Sequence, residues 1–229
     1  MPYRLPPIWD KGSLILKSKK NDSSPPESSK ISQSFSSLDL THAKILGRGN
    51  ERICYLHPFD PSKVVKISFP QKGRDQNHID LIYSKFLTSV GADCAPTCYG
   101  IIQTNLGEGL VCERIVNYDG SSSLTLQESV DKEEISHGTL QHYLKALKKR
   151  IYADQIIIAD ISPANILFQR LSPKKSRLII IDGLGGRHLG FKFWCYQKLF
   201  PLRWYKVRKQ WWRMKRQFKD AGLLNPGQK

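Results

Sequence analysis

The sequence lacks any hydrophobic run approaching the roughly 18 apolar residues of a spanning helix, and no apolar stretch of secretory type follows its first residues. Both absences point to a cytoplasmic protein. Five cysteines, an odd number, include no repeated pair spacing. Cys94 and Cys98 are four apart, but no second pair follows at zinc-ligand spacing, so the thiols read as structural or incidental. Acid is also scarce, with 20 Asp and Glu against 36 Lys and Arg.

The resulting charge of +16 is uneven. Residues 187–229 hold twelve Lys or Arg and one acid, Asp220, which leaves about +5 for everything before them. Such a tail is a candidate contact for phosphate-rich surfaces: an anionic membrane, nucleic acid or a phosphorylated glycan.

At 229 residues the chain has room for one domain with appendages. Residues 1–37 are polar and Ser/Pro-rich and read as a disordered leader. The domain is expected over 38–219, with an N-terminal lobe over about 38–115 and a C-terminal lobe over about 116–219. Residues 220–229 read as a flexible end.

Strands are expected at Ala43–Leu46, Ile53–Leu56 and Val64–Ile67, joined by turn chemistry into an antiparallel meander. Ile79, Ile82, Phe86 and Val90 then recur at helical spacing, with Gly91 as the stop. Further strands are expected around Ile101-Ile102 and Leu110-Val111-Cys112. Thr125 and Glu128 form a capping-box pattern. Leu140, Tyr143, Leu144 and Leu147 mark a helix ending in Lys148-Lys149-Arg150. Two apolar triplets or quartets, Ile156–Ile158 and Leu178–Ile181, read as strands that each run into an aspartate.

These aspartates carry the chemistry. Asp160 and Asn165 have the D-x-x-x-x-N spacing, in which the Asp faces an acceptor hydroxyl and the Asn turns back to a magnesium ion. Asp182, in Asp182-Gly183-Leu184-Gly185, is placed to hold magnesium across ATP phosphates. Gly47 and Gly49 let backbone N–H groups approach those phosphates. Lys66 sits in V-V-K-I on the third strand, as the V-A-I-K lysine does. Each piece is weak alone, and their order along the chain is what persuades.

Gly47–Tyr55, Leu124-Thr125-Leu126, Pro163–Leu167 and the Trp- and Arg-rich tail resemble the YrbL-like family of the PhoP regulatory network, over roughly 38–218. The resemblance implies an α+β fold, a truncated two-lobed protein-kinase-like domain: an N-lobe of antiparallel sheet plus one helix, and a small, mainly helical C-lobe. The expected cofactors are ATP and Mg²⁺. Asp160 and Lys66 are the catalytic candidates, and Asn165 and Asp182 the metal ligands. Gly47, Gly49, Arg52, Lys66, Asp80, Glu113 and Ile115 are the cofactor-binding candidates, the last two at the hinge-like strand.

The departures from the kinase pattern matter. Arg52 replaces the third loop glycine, where it reaches for phosphate or caps the strand. Ile158 stands where the His of H-R-D is expected, and Ser162 where a lysine neutralises transferred phosphate. Asp80 stands for the helix Glu that pairs with the strand lysine, with Asp75 a poorer candidate. No A-P-E element follows Asp182, which argues against an ordinary protein kinase. Two readings therefore stay open: a phosphotransferase acting on an unidentified acceptor, with a sugar or lipid-linked glycan as one candidate, and a pseudokinase or nucleotide-binding regulatory partner.

In the tail, Phe200, Trp204, Val207, Trp211, Met214 and Phe218 follow helical steps, with Arg203, Lys206, Lys209, Arg213, Arg216 and Lys219 between them. A basic amphipathic helix over 201–219 follows. Packing of the stripe on the C-lobe is the first reading, adsorption to an anionic membrane the second, and nucleic acid the third.

Overall fold

The structure, a computed structural model of the chain, describes residues 37–69, 76–160, 162–186 and 190–224. The polar leader before residue 37, Asp75, and the last five residues lie outside the described residues. The domain begins on Leu38 and Leu40, both buried; Leu38 donates its N–H to the Gln103 carbonyl at 2.9 Å.

Five strands form the first sheet: β1 (Ile45–Arg48), β2 (Arg52–Leu56), β3 (Lys63–Ser68), β4 (Cys98–Thr104) and β5 (Gly107–Glu113). Their order is β1-β2-β3-β5-β4, antiparallel throughout. The three strands of the expected meander are present, the first shifted two residues towards the glycines. Helix α1 (Gln76–Ser89) is inserted between β3 and β4. It ends at Gly91, whose φ of +61° only glycine adopts readily, and the Gly91 and Ala92 N–H groups cap the carbonyls of Thr88 and Leu87. Asn77 ties α1 to the sheet by donating to the Lys66 carbonyl at 3.1 Å.

The second lobe holds β6 (Leu124–Thr125), α2 (Leu126–Asp131), α3 (His137–Ala153), β7 (Ile166–Ser172), β8 (Lys175–Ile180), α4 (Phe191–Lys198) and α5 (Phe200–Asp220). Thr125 caps α2 as expected: its hydroxyl accepts the Glu128 N–H at 3.2 Å while the Glu128 carboxylate accepts the Thr125 N–H at 2.8 Å. Strands β6, β7 and β8 form a small antiparallel sheet. The chain is thus α+β, with an antiparallel sheet and a single helix in the first lobe and a mainly helical second lobe.

Ile156–Ile158 is a correction. It is buried but is no strand: its one sheet-like contact is an isolated bridge from Ile158 to Leu184. Side chains satisfy its backbone instead. The Tyr83 hydroxyl accepts the Ile157 N–H at 2.6 Å, and Gln210 of α5 accepts the Ile158 N–H at 2.8 Å while donating to the Ile156 carbonyl at 2.6 Å. Buried backbone groups require some such partner. The partner of β8 is β7, which starts right after Asn165.

Helix α5 packs by Val207, Trp211, Met214 and Phe218 into the core shared with α1, α3 and Ile156–Ile158. Phe200 and Trp204, expected on the same stripe, are exposed. Arg203, expected on the polar face, is buried: its Nε donates to the Tyr196 carbonyl at 2.6 Å, and its guanidinium lies 5.1 Å from the Phe86 ring centroid. Packing continues past Asp220 to Leu223, which is buried in that core. No helix among the described residues is long and apolar enough to cross a membrane.

Candidate active site

A cleft of about 700 Å³ collects residues from both ends of the domain. Gly47, Gly49, Arg52, Lys66, Glu113 and Ile115 line it from the first sheet and its hinge; Asp160, Asn165 and Asp182 line it from the second lobe. Of the expected site residues only Asp80 does not line the cleft, standing directly behind Arg52.

The second-lobe acids are held by backbone. The Ala159 N–H donates to the Gly183 carbonyl at 2.6 Å, and Ile181 to the Asn165 carbonyl at 2.9 Å, which lays the two motif segments side by side. Gly183 has φ +74°, and a Cβ there would meet the Asp160 carbonyl oxygen at 2.5 Å. Only glycine allows Asp182 and Asp160 this approach. Asn165 donates Nδ2 to Asp160 Oδ2 at 3.3 Å, which turns its Oδ1, the atom able to ligate a metal, away from Asp160.

The first lobe is wired differently from the expected lysine–acid pair. Asp80 is bound to Arg52, Nη1 to Oδ2 at 2.6 Å, and to Gln76 at 2.7 Å. Lys66 donates to the Ile181 carbonyl at 2.6 Å. Arg52 reaches further, with Nη1 to Asn77 at 3.4 Å and Nη2 onto Asp182 Oδ1. Arg52 extends from β2 between α1 and the cleft and is 6 % exposed, so one guanidinium joins both carboxylates. The sequence left open a phosphate contact or a strand cap; in the structure the guanidinium makes this double ion pair and still lines the cleft.

Electrostatics follow from it. Burial works to raise the pKa of Asp182, but the Arg52 and Lys66 charges and the bonds from the Gly183 N–H and Arg52 outweigh it, so the carboxyl stays below its ordinary value. Burial likewise works against the Arg52 charge, and Asp80 and Asp182 more than restore it. Both bonds to Asp182, from Arg52 and from the Gly183 N–H, fall on Oδ1; among the described residues Oδ2 receives none.

Oxygen ligands on Asp182 and Asn165 suit magnesium, which binds through one or two protein groups and completes its shell with water and phosphate. The described residues contain no cluster of three or more His, Cys, Asp or Glu that could hold a metal ion. Glu113 turns its carboxylate to the Thr97 N–H at 3.1 Å, and its own N–H goes to the Thr97 carbonyl at 2.8 Å. Sequence reading missed Tyr83, Asn77 and Gln210, which position the site from behind. Tyr83 and Asn77 lie on α1 beside the expected apolar face, whereas nothing local marks Gln210.

A family model described as PhoP regulatory network protein YrbL matches residues 38–219. "Uncharacterized protein YrbL" of Escherichia coli (strain K12) is 30% identical over 156 residues, 65% of this chain and 73% of that protein. The protein of the same description from Shigella flexneri matches to the same extent. Among solved structures, the Mycobacterium tuberculosis PknI kinase domain superposes with a TM-score of 0.41 at 14% identity, over 61% of this chain and 57% of that one.

Proposed function

The chain belongs to the family of PhoP regulatory network protein YrbL, and we propose that it is an ATP- and Mg²⁺-dependent phosphotransferase of the kinase-like superfamily. The observation that carries this reading is the convergence of Lys66, Asp160, Asn165 and Asp182 on one cleft from three separate segments.

Lys66 would hold the α/β-phosphates, and Asn165 Oδ1 and Asp182 Oδ2 would hold magnesium. The metal supplies charge neutralisation at the phosphates when bound. Asp160 accepts the proton of the acceptor hydroxyl, and its exposed carboxylate, steadied by Asn165, is open to such a partner. Arg52 adds a cation beside Lys66, in a site where Ser162 offers none. Positioning and charge account for most of such a reaction. A sugar or lipid-linked glycan is the acceptor class we favour, since the basic C-terminal helix suits a phosphate-bearing acceptor.

The ion pair between Arg52 and Asp182 favours a second reading, a nucleotide-binding regulator without turnover, because the guanidinium competes for a metal ligand. ATP consumption with Mg²⁺ across a screen of sugar, glycolipid and protein acceptors separates the two. Activity in the wild type that Asp160→Ala and Asp182→Ala both abolish supports the phosphotransferase. Full activity in both variants overturns the site assignment, and a nucleotide-induced thermal shift without turnover on any acceptor selects the regulator.

A further inference from the structure

Strands β4 and β5 place Cys98 directly opposite Cys112, beside the register irregularity between Cys98 and Gly100. Their sulfurs lie 3.2 Å apart, and both are free thiols. The surroundings fix the pair. Cys98 donates its N–H to the Ser84 hydroxyl of α1 at 3.0 Å, and the residues next to the pair, Thr97 and Glu113, share a backbone bond of 2.8 Å. Cys112 is 1% exposed whereas Cys98 is half-buried, so a reagent meets Cys98 first.

We propose that Cys98 and Cys112 are a reversible dithiol–disulfide site, oxidised by exchange with a small-molecule disulfide. The Cys98 thiolate attacks one sulfur of the reagent, forming a mixed disulfide and releasing the first small thiolate. The Cys112 thiol passes its proton to that thiolate, and its sulfur then attacks Cys98 Sγ, expelling the second small thiolate, which is protonated from water. Two protein thiols and one small disulfide become one protein disulfide and two small thiols, with no other oxidant.

The chemistry of the two sulfurs suits these roles. Either sulfur can donate in this contact; with Cys112 as the donor, the bond lowers the Cys98 pKa against the opposing effect of burial, with help from Lys66. The same bond, together with burial, holds Cys112 as the thiol. An attacking thiolate and a protonated neighbour are what exchange requires. A bond between directly opposed strand residues is strained, hence readily reduced, so the pair remains a dithiol until the surrounding disulfide pool rises. The other thiols do not share this arrangement: Cys94 is buried with its pKa pushed up to about 11, and Cys54 and Cys195 sit on β2 and α4.

The site stands at the back of the cleft, where the Lys66 charge acts on the Cys98 sulfur. Closing the disulfide removes the titratable sulfur and should alter nucleotide affinity. That consequence rests on the phosphotransferase reading; the disulfide does not.

The test treats the folded full chain with oxidised glutathione, followed by thiol counting and peptide mapping. Free thiols should fall from five to three, with a single Cys98–Cys112 link that dithiothreitol reverses. Cys112→Ser should instead trap glutathione on Cys98, and Cys98→Ser should leave Cys112 unmodified. A stable glutathione adduct in the wild type, a link to another cysteine, or five unreacted thiols in the folded chain would overturn the proposal. Mapping of the wild type decides even where a variant fails to fold. An intact link with unchanged nucleotide affinity keeps the redox site and removes only its effect on the cleft.

Discussion

Arg52 and Asp182, 130 residues apart in the chain, are joined by an ion pair that closes the floor of the cleft, with Asp80 on the far side of the same guanidinium. Arg52→Ala would leave Asp80 buried without its counter-charge, and losing one partner of a buried pair destabilises by about 3–5 kcal/mol. Chemical denaturation at neutral pH measures it.

The pH dependence has a definite sign. Asp182 has a depressed pKa in the folded state, so its contribution is present above the ordinary carboxylate value of 3.8 and is lost as pH falls through the lower folded value. Arg52→Ala removes the Arg52 share of that depression, leaving those of Lys66 and the Gly183 N–H. The stability gap between wild type and variant should therefore be widest near neutral pH and narrow below about 3.8. A gap independent of pH would show that Arg52 acts through packing alone.

Glycine positions should separate sharply. Gly183→Ala places a Cβ against the Asp160 carbonyl in a left-handed backbone and should destabilise by about 1–3 kcal/mol or more. Gly138→Ala, in the first turn of α3 with open space around it, should be neutral or stabilise by up to about 1 kcal/mol. Thermal melts of both variants check the pair.

Two adjacent tryptophans on α5 make a further contrast. Trp211 is 6% exposed and Trp212 76%. Trp211→Ala should destabilise by about 3–5 kcal/mol, and Trp212→Ala by less than about 0.5. The anionic-membrane expectation now belongs to the outer face, where Tyr205, Arg208, Lys209 and Trp212 adjoin. We propose this face as the membrane contact: wild type should sediment with anionic vesicles at low salt, and Trp212→Ala should not, at unchanged melting temperature. Equal sedimentation of both would remove the proposal.

Local patterns were legible where local physics decides. The α1 periodicity, the Gly91 stop and the Thr125–Glu128 box depend on residues within one or two turns, and each formed as read. Lys66, Asp160, Asn165 and Asp182, grouped by their order along the chain, line one cleft. Partner choice was not legible. Asp80 goes to Arg52 because a guanidinium reaching from β2 can bridge to α1, and strand spacing says nothing of that reach. Ile156–Ile158 looked like a strand because a short buried apolar run has the same composition either way. Its backbone partners, Tyr83 and Gln210, lie 74 and 52 residues away. Helix α4 and strand β7 were missed as elements, the first for want of a clear apolar face and the second because it is hidden behind the Asn165 motif.

The amide of Gln210 has a bearing on how the protein is made. It holds both ends of the Ile156–Ile158 segment, which delivers Asp160 to the cleft. A nascent chain on the ribosome has already extruded Lys66, Asp160 and Asp182 long before residue 210 emerges. Until then the segment's buried amides lack their tether, and Trp211, Met214 and Phe218 have not yet covered it. Assembly of the cleft should thus complete late in synthesis, and a message truncated ahead of α5 encodes every proposed catalytic group without the Gln210 tether or the cover of Trp211, Met214 and Phe218.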